Sequence, residues 1–230
     1  MVTVVAFDVN ETLLDLSALD QPFQQAFGDA ALRPLWFAQM LQLSFVGGLT
    51  GEYVDFTTAQ HAALRMLAER MGTTLSDAQA TAIVDGMSTL PPHPEVPAAL
   101  ARLRGTTLRV AALTNSVQAV AEAQLTHAGL RDLFDDVLSA DAVRRLKPAP
   151  EPYLAVAERF GVATSGVRLV AAHAWDVSGA LAAGCRAALV RRPGVVASPL
   201  GRQPDIVGAT LTEVVDQILA AQPGGGLTGS

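Results

Sequence analysis

The sequence predicts an α/β fold, a doubly wound parallel sheet with an inserted helical cap. Short apolar runs alternate with helical stretches along most of the 230 residues, which is typical of βαβ units. The alternation stops after the first strand and resumes near residue 94, and helical patterns alone fill the gap. We therefore expect a core of residues 1–14 and 94–221, a helical cap of residues 15–93, and a flexible tail of residues 222–230.

The first predicted strand ends in a carboxylate. The apolar run Val2–Phe7 is followed by Asp8, and such a β-branched run is typical of a buried strand in a parallel sheet. Ligands bind at the carboxyl edge of open α/β sheets. At that edge Asp8 could be a nucleophile, a metal ligand or a structural cap on the next turn. The further predicted strands are Leu108–Leu113, Asp136–Leu138, Val167–Ala171, Arg186–Val190 and Asp205–Val207.

Helical spacing of apolar residues predicts the remaining elements. Three helices separate strands of the core, and three more follow one another in the cap. The prolines of Pro91–Pro94 mark the return of the chain to the core. The simplest interpretation places the cap over the sheet edge where Asp8 lies. The predicted helices are Val117–His127, Glu151–Phe160 and Asp176–Ala183 in the core, and Leu32–Phe45, Tyr53–Met71 and Ser76–Met87 in the cap.

Composition narrows the class of protein. Half of the residues are apolar and 17% are charged, which predicts a well-buried core and excludes wholesale disorder. The net charge of −6 argues against a nucleic acid or an anionic membrane as partner. No apolar stretch reaches the roughly 20 residues that span a bilayer, and the first residues lack a signal-peptide pattern. Cys185 is the single cysteine and is expected to pack in the core, so we expect a cytoplasmic protein.

Four polar segments fall at or just after predicted strand ends, where a site would be built. Each has a structural alternative: Thr114–Ser116 could cap a helix, Lys147 could be a solvated loop residue, and Asp176 could cap its own helix. Convergence of four such segments in one crevice favours an active site over these alternatives. The segments are Asp8–Thr12, Thr114–Ser116, Lys147-Pro148 with Tyr153, and His173–Asp176.

These segments resemble those of the haloacid dehalogenase superfamily, and within it the type II L-2-haloacid dehalogenases. The similarity covers nearly the whole chain. The resemblance implies a Rossmann-like core with a helical cap, a small anionic substrate and a homodimer. It is carried by the nucleophile loop, the cap stretch from Leu35-Trp36 to Tyr53–Phe56, Lys147-Pro148 with Tyr153, and Ala174-Trp175-Asp176.

Two positions separate the chemistries of this superfamily, most members of which are phosphatases. Asn10 stands where a phosphatase carries its general acid/base Asp, and Ala172 stands where a second carboxylate would hold Mg²⁺. A halide leaves without protonation, so neither group is needed to displace it from carbon. The resemblance thus implies a dehalogenase with no metal and no cofactor. A phosphatase or other hydrolase, and a catalytically silent capped binding protein, remain as alternatives.

The resemblance also implies a mechanism. Asp8 attacks C2 of a short (S)-2-haloacid, and water hydrolyses the resulting ester to a 2-hydroxyacid. Lys147 would hold Asp8 ionised, Thr12 would offer its hydroxyl, and Asp176 belongs to the catalytic set. His173 could position or deprotonate the hydrolytic water, or be a packed neutral histidine.

Further residues are implied to bind the substrate or the leaving halide. Thr114 would offer a hydroxyl to the substrate carboxylate and Asn115 an amide N–H to the halide. Leu41 is given equal weight as a pocket residue and as ordinary core. The full implied set is Asn10, Phe37, Leu41, Phe56, Thr114, Asn115, Tyr153 and Trp175.

The chain departs from the family pattern near the nucleophile. Phe37 stands in place of a cap arginine that accepts halide, so a cationic partner is missing. Asn10 and Glu11 replace an aromatic residue and a glycine, and Ala171 and His173 replace a serine and an asparagine. We expect the added acid, Glu11, to raise the pKa of the nucleophile or to repel an anionic substrate.

Overall fold

The computed structural model describes residues 1–222, so the predicted tail lies outside the described residues except for Gln222. Within this range, six strands form one parallel sheet: β1 Val4–Phe7, β2 Arg109–Thr114, β3 Asp136–Ser139, β4 Val167–Ala171, β5 Arg186–Val190 and β6 Ile206–Gly208. Their order across the sheet is β3-β2-β1-β4-β5-β6. The predicted doubly wound α/β fold is confirmed, and each predicted strand agrees with an observed one to within two residues at either end.

The helices flank this sheet and also fill the segment between β1 and β2. They are α1 Asp20–Phe27, α2 Leu32–Thr50, α3 Phe56–Met71, α4 Asp77–Gly86, α5 Val96–Arg104, α6 Gln118–His127, α7 Pro150–Phe160, α8 Ala174–Ala182 and α9 Leu211–Ala220. Five of them, α1 to α5, follow one another between β1 and β2 without an intervening strand, and α1 to α4 lie in residues 15–93. Residues 15–93 remain our proposed extent of the cap. None of the helices in residues 1–222 is both long enough and apolar enough to cross a bilayer.

Three short helices, α1, α5 and α9, were not predicted, and α2 is longer than predicted. The predicted helix ended at Phe45, before two glycines that have low helix propensity. In the structure α2 continues through both of them to Thr50. A Cβ atom at Gly47 would lie 2.6 Å from the carbonyl oxygen of Glu52, so the returning chain passes too close for any larger residue. Tertiary packing therefore overrides local propensity here.

The central strand separates two apolar layers. Val5 and Phe7 belong to one buried cluster, which also contains cap residues such as Trp36 and Met40. Val4 and Ala6 face the other cluster, which is built mainly with α7 and α8 and contains the buried Cys185. Because the chain turns to opposite sides of β1 for β2 and β4, the carboxyl ends of β1 and β4 open a crevice at the switch point. This crevice positions the candidate site.

Candidate active site

Asp8 lies at the carboxyl end of β1, with its backbone N–H donating to the carbonyl of Val170 on β4 at 3.0 Å. The Asp8 side chain is 7% exposed, and its carboxylate has a donor at each oxygen. Oδ1 accepts from Nζ of Lys147 at 2.9 Å. Oδ2 accepts from Oγ1 of Thr12 at 2.6 Å and lies 3.1 Å from Nδ1 of His173. The enclosed carboxylate is therefore fixed in orientation.

Lys147 is completely buried and all three of its ammonium N–H groups have acceptors. Besides Asp8, Nζ donates to Oδ2 of Asp176 at 2.6 Å and to the carbonyl of Leu113 at 2.9 Å. Asn115 holds the backbone of the same lysine: the Lys147 N–H donates to Oδ1 of Asn115 at 2.8 Å, and Nδ2 donates to the Lys147 carbonyl at 3.2 Å. The ammonium is thus held between two carboxylates. The Asn115 oxygen and one of its two N–H groups are engaged with the Lys147 backbone, which leaves one N–H.

The two carboxylates that share Lys147 differ in acidity. Burial opposes ionisation of Asp8, but the ammonium of Lys147 and the hydrogen bond from His173 outweigh it and hold the pKa of Asp8 well below its usual range. For Asp176, burial and the nearby charge of Asp8 raise the pKa despite the attraction of Lys147. Burial would lower the pKa of Lys147, but the charges of Asp176 and Asp8 raise it. Asp8 is therefore the ionised nucleophile candidate, and Asp176 is the more basic partner.

The hydroxyl of Tyr153 donates to Oδ1 of Asp176 at 2.5 Å. Gly179 makes this contact possible, because a Cβ atom there would lie 2.6 Å from the Tyr153 hydroxyl oxygen. Tyr153 was predicted to bind substrate. In the structure its hydroxyl instead donates to the buried carboxylate of Asp176, so Tyr153 supports the Lys147–Asp176 pair.

His173 lies between two carboxylates. Nδ1 is 3.1 Å from Oδ2 of Asp8, and Nε2 is 2.8 Å from Oε2 of Glu11. Burial would lower the pKa of His173, but these hydrogen bonds and the two negative charges raise it to about 9. With a carboxylate at each ring nitrogen, the geometry favours an imidazolium that donates from both nitrogens over a packed neutral histidine.

Glu11 was expected to raise the pKa of Asp8 or to repel an anionic substrate. Burial would raise the pKa of Asp8, but Lys147, His173 and Thr12 lower it, and Glu11 is not among the groups that shift it. The Glu11 carboxylate points to His173, and its other oxygen lies 3.6 Å from Nη1 of Arg33 on α2. Its backbone adopts a left-handed conformation with φ of 61°, which explains why the related pattern has glycine here. Its negative charge is therefore paired with cations on both sides.

Two aromatic rings stack against His173. The Phe37 ring on α2 lies 5.6 Å away with an interplanar angle of 18°, and the Trp175 ring lies 5.2 Å away at 29°. Phe45 packs edge-on against Trp175 at 5.4 Å. Phe37, which stands in place of the cap arginine, therefore packs against His173 of the core. An aromatic face is a favourable neighbour for an imidazolium.

Asn10 and Thr114 were predicted to contact substrate, and the structure directs both side chains elsewhere. Nδ2 of Asn10 donates to the Ser116 hydroxyl at 3.3 Å, and its Oδ1 accepts from Gln124 at 2.9 Å. The Thr114 hydroxyl oxygen accepts from the Ser116 N–H at 3.2 Å. The Asn10 contacts join the nucleophile loop to the loop after β2 and to α6, whereas the Thr114 contact lies within the loop after β2.

Leu41 and Phe56 are buried in the same apolar cluster as Phe37. Both side chains are apolar and pack within this cluster, as ordinary core residues do. Trp175 packs against the cluster and, like Phe37, stacks against His173.

A cavity of about 280 Å³ adjoins the nucleophile loop on the side of Glu11. Sequence reasoning did not find Arg33 or Arg192, which both line it. Arg192 follows β5 and donates to the Thr12 carbonyl at 2.7 Å, which braces the loop. The position of Arg192 just after the end of β5 was the signal in the sequence that could have predicted its place near the site. The cavity is lined by Glu11, Asp15, Leu16, Ser17, Arg33, His93, Arg192, Pro193 and Val195.

The donor set of the site bears on metal binding as well. Within residues 1–222, no three His, Cys, Asp or Glu side chains are grouped as ligands for one ion. The ammonium of Lys147 bridges Asp8 and Asp176, and Ala172 offers no ligand atom from its side chain. This donor set suits a fixed internal cation and is a poor cage for Mg²⁺.

The charge of His173 makes stability depend on pH in a defined direction. Its pKa rises from an ordinary 6.5 to about 9 on folding, so its stabilising contribution is complete below pH 6.5 and is lost as pH rises through 9. We expect His173→Asn to lower the free energy of unfolding by on the order of 3 kcal/mol more at pH 6 than at pH 10, at about 1.4 kcal/mol per pKa unit. Urea unfolding of both proteins measures this, and an equal difference at both pH values contradicts it.

Fold and site together define a class: this is a capped α/β hydrolase. The chain belongs to the haloacid dehalogenase-like hydrolase family, whose sequence model matches residues 2–184. It is 31% identical to an (S)-2-haloacid dehalogenase of Pseudomonas sp. strain YL over 92% of both chains, and 29% identical to haloacetate dehalogenase H-2 of Moraxella sp. strain B over 94% and 98%. The L-2-haloacid dehalogenase of Xanthobacter autotrophicus with covalently bound chloropropionic acid superposes with a TM-score of 0.90 at 26% identity, covering 96% of this chain and all of that one.

Proposed function

We propose that the protein is a hydrolytic dehalogenase that converts a short (S)-2-haloacid to a 2-hydroxyacid through an ester on Asp8. The observation that carries the proposal is the enclosed, ionised Asp8 carboxylate held by the ammonium of Lys147. The (S)-2-haloacid dehalogenases among its relatives support the substrate class, and the covalently bound chloropropionic acid in the Xanthobacter autotrophicus structure supports a covalent intermediate.

In the first half of the reaction, an oxygen of Asp8 displaces the halide at C2. We assign Oδ1 to this attack, because it accepts one hydrogen bond and retains a lone pair, whereas Oδ2 accepts two. The new Oδ1–C2 bond forms as the carbon–halogen bond breaks, and the halide leaves with the electron pair. The free N–H of the Asn115 amide and the ring of Trp175 are the proposed halide contacts.

In the second half, water attacks Cγ of Asp8 and the Oδ1–Cγ bond breaks. Lys147 protonates the departing Oδ1, which leaves in the 2-hydroxyacid. The proton lost by water passes to Asp176, the more basic carboxylate, which returns it to Lys147 through their 2.6 Å hydrogen bond. Asp8 is regenerated with the oxygen of water, and one proton is released per turnover.

Activity on a substrate panel tests this function. We expect halide release from 2-bromo- and 2-chloropropionate and from haloacetates, unchanged in excess EDTA, because Asn10 and Ala172 replace the groups that Mg²⁺-dependent phosphoryl transfer needs. Bromide should leave faster than chloride, and fluoride should be slowest, since the most strongly hydrated ion gains least from a pocket without the cap arginine. Ion chromatography measures the halide. Mg²⁺-dependent phosphate release from simple esters, with no halide from any haloacid, contradicts the proposal.

We also propose a homodimer that works in a reducing cytoplasm. The dimer rests on the family resemblance and agrees with exposed Val46 and Leu49 near the end of α2. The compartment rests on the single buried thiol, Cys185. Sedimentation equilibrium tests the dimer, and fractionation of the source cells tests the location.

A further inference from the structure

The donors around Asp8 Oδ2 have no assigned task in the mechanism above. If Oδ1 bonds to the substrate, Oδ2 becomes the carbonyl oxygen of the ester. It then faces the hydroxyl of Thr12 at 2.6 Å and Nδ1 of His173 at 3.1 Å. Thr12 is itself oriented, because its oxygen accepts from the backbone N–H of Ala172 at 2.8 Å. Two fixed donors therefore lie where negative charge develops when water attacks the ester.

We propose that His173, as an imidazolium, is a catalytic residue of ester hydrolysis that stabilises the oxyanion at Asp8 Oδ2 together with Thr12. Glu11 is the positioning residue that keeps His173 charged. The oxygen of water bonds to Cγ while the carbonyl electron pair moves to Oδ2. This electron pair re-forms the carbonyl when the Oδ1–Cγ bond breaks. This inference rests on the proposed function and gives its second step a charged donor.

Glu11 is needed because the reaction removes the other counter-ion of His173. Before reaction the ring lies between the carboxylates of Asp8 and Glu11. Esterification neutralises Asp8, and Glu11 remains at 2.8 Å from Nε2. Its positive φ of 61° is a costly conformation for a residue with a side chain, and strain of this kind is typical of functional sites.

The other groups around this pair are consistent with a lasting imidazolium. Phe37 and Trp175 stack against the His173 ring and carry no charge. The Glu11 carboxylate also faces Arg33 at 3.6 Å, and its backbone carbonyl faces the ring of His93 at 3.1 Å.

More distant charges belong to other pairs. The ammonium of Lys147 is on the opposite oxygen of Asp8, and Arg192 pairs with Glu95. Asp15 lines the cavity beside Glu11 and accepts from the backbone N–H of Ser17.

The pH dependence of ester hydrolysis in the unaltered enzyme provides the first test. In a single turnover with 2-bromopropionate, bromide release reports ester formation, and mass spectrometry follows loss of the esterified protein. We expect hydrolysis to be constant near neutral pH and to fall at alkaline pH as His173 loses its proton. A hydrolysis rate that rises as His173 deprotonates assigns the ring to water deprotonation and overturns the proposal.

Glu11→Gln provides the second test, because it keeps a hydrogen-bond acceptor and removes the charge. At pH 8 we expect hydrolysis to slow about tenfold or more while ester formation changes less than about threefold, so one equivalent of bromide is released in a burst. The alkaline fall should move to lower pH. Glu11→Asp, which keeps a carboxylate, should restore part of the rate.

Asp15→Asn is the matched control, since it removes an equal charge from the same cavity without touching His173. It should leave both steps within about twofold. Equal loss of both steps in Glu11→Gln, or unchanged hydrolysis, overturns the role of Glu11. Should Glu11→Gln fail to fold, the Glu11→Asp variant and the pH profile of the unaltered enzyme still decide the question. Absence of halide release from the unaltered enzyme is a failure of the proposed function instead.

Discussion

Asp8→Asn is expected to abolish halide release, by at least about 10⁴-fold, while the protein keeps its fold. An amide has the shape of the carboxylate but is a poor nucleophile. The substitution also places an N–H₂ group among donors from Lys147, Thr12 and His173, so we expect a loss of about 1–3 kcal/mol in the free energy of unfolding. Ion chromatography measures halide, and circular dichroism with urea unfolding checks the fold.

Turnover in ¹⁸O-water separates the covalent route from direct attack by water. In a single turnover, the label should enter the carboxylate of Asp8, and the 2-hydroxyacid should carry an unlabelled oxygen from the protein. Mass spectrometry of the peptide that contains Asp8 locates the label. Label found in the product of a single turnover contradicts the ester mechanism.

Lys147→Met should remove both activity and much of the stability. The substitution leaves Asp8 and Asp176 as buried carboxylates without their shared cation, and breaking a buried pair in this way costs about 3–5 kcal/mol. Activity should fall because Asp8 loses the ammonium that keeps it ionised and that protonates the leaving oxygen. Urea unfolding at pH 7 and halide release measure the two effects.

The double variant Lys147→Met with Asp176→Asn is the control for this interpretation. Asp176→Asn removes one of the two carboxylates that Lys147→Met leaves without a cation, so the double variant should recover part of the lost stability. Activity should not return, because Asp8 still lacks the ammonium of Lys147. An unfolding midpoint of the single variant equal to that of the unaltered protein contradicts the importance of the buried cation.

Local patterns in the sequence were sufficient to predict the sheet. The runs that became β1, β4 and β5 are short and mostly apolar, and burial of a parallel sheet on both faces favours such runs. Since the carboxyl ends of parallel strands meet at one edge, Asp8, Lys147 and His173 could be placed together from their positions after strand ends. Their distance along the chain did not matter for this prediction.

Directions of side chains could not be predicted in the same way. Glu11 and His173 are 162 positions apart, and their contact exists because β1 and β4 are neighbours in the sheet. From the sequence, Glu11 was expected to raise the pKa of Asp8 or to repel an anionic substrate. The structure gives its carboxylate a cation on each side, His173 and Arg33, which the sequence could not predict.

The sequence by itself therefore determined the α/β class, the helical insertion, and the strand ends from which Asp8, Lys147, His173 and Asp176 emerge, because periodicity and strand-end position are local properties of the chain. Only the tertiary structure decided which of these polar groups face one another. For example, the Asn10 amide was predicted to contact substrate, and in the structure it accepts a hydrogen bond from Gln124. The electrostatic effect of a charge depends on distances of a few ångströms, and those are set by packing between residues that are remote in the sequence.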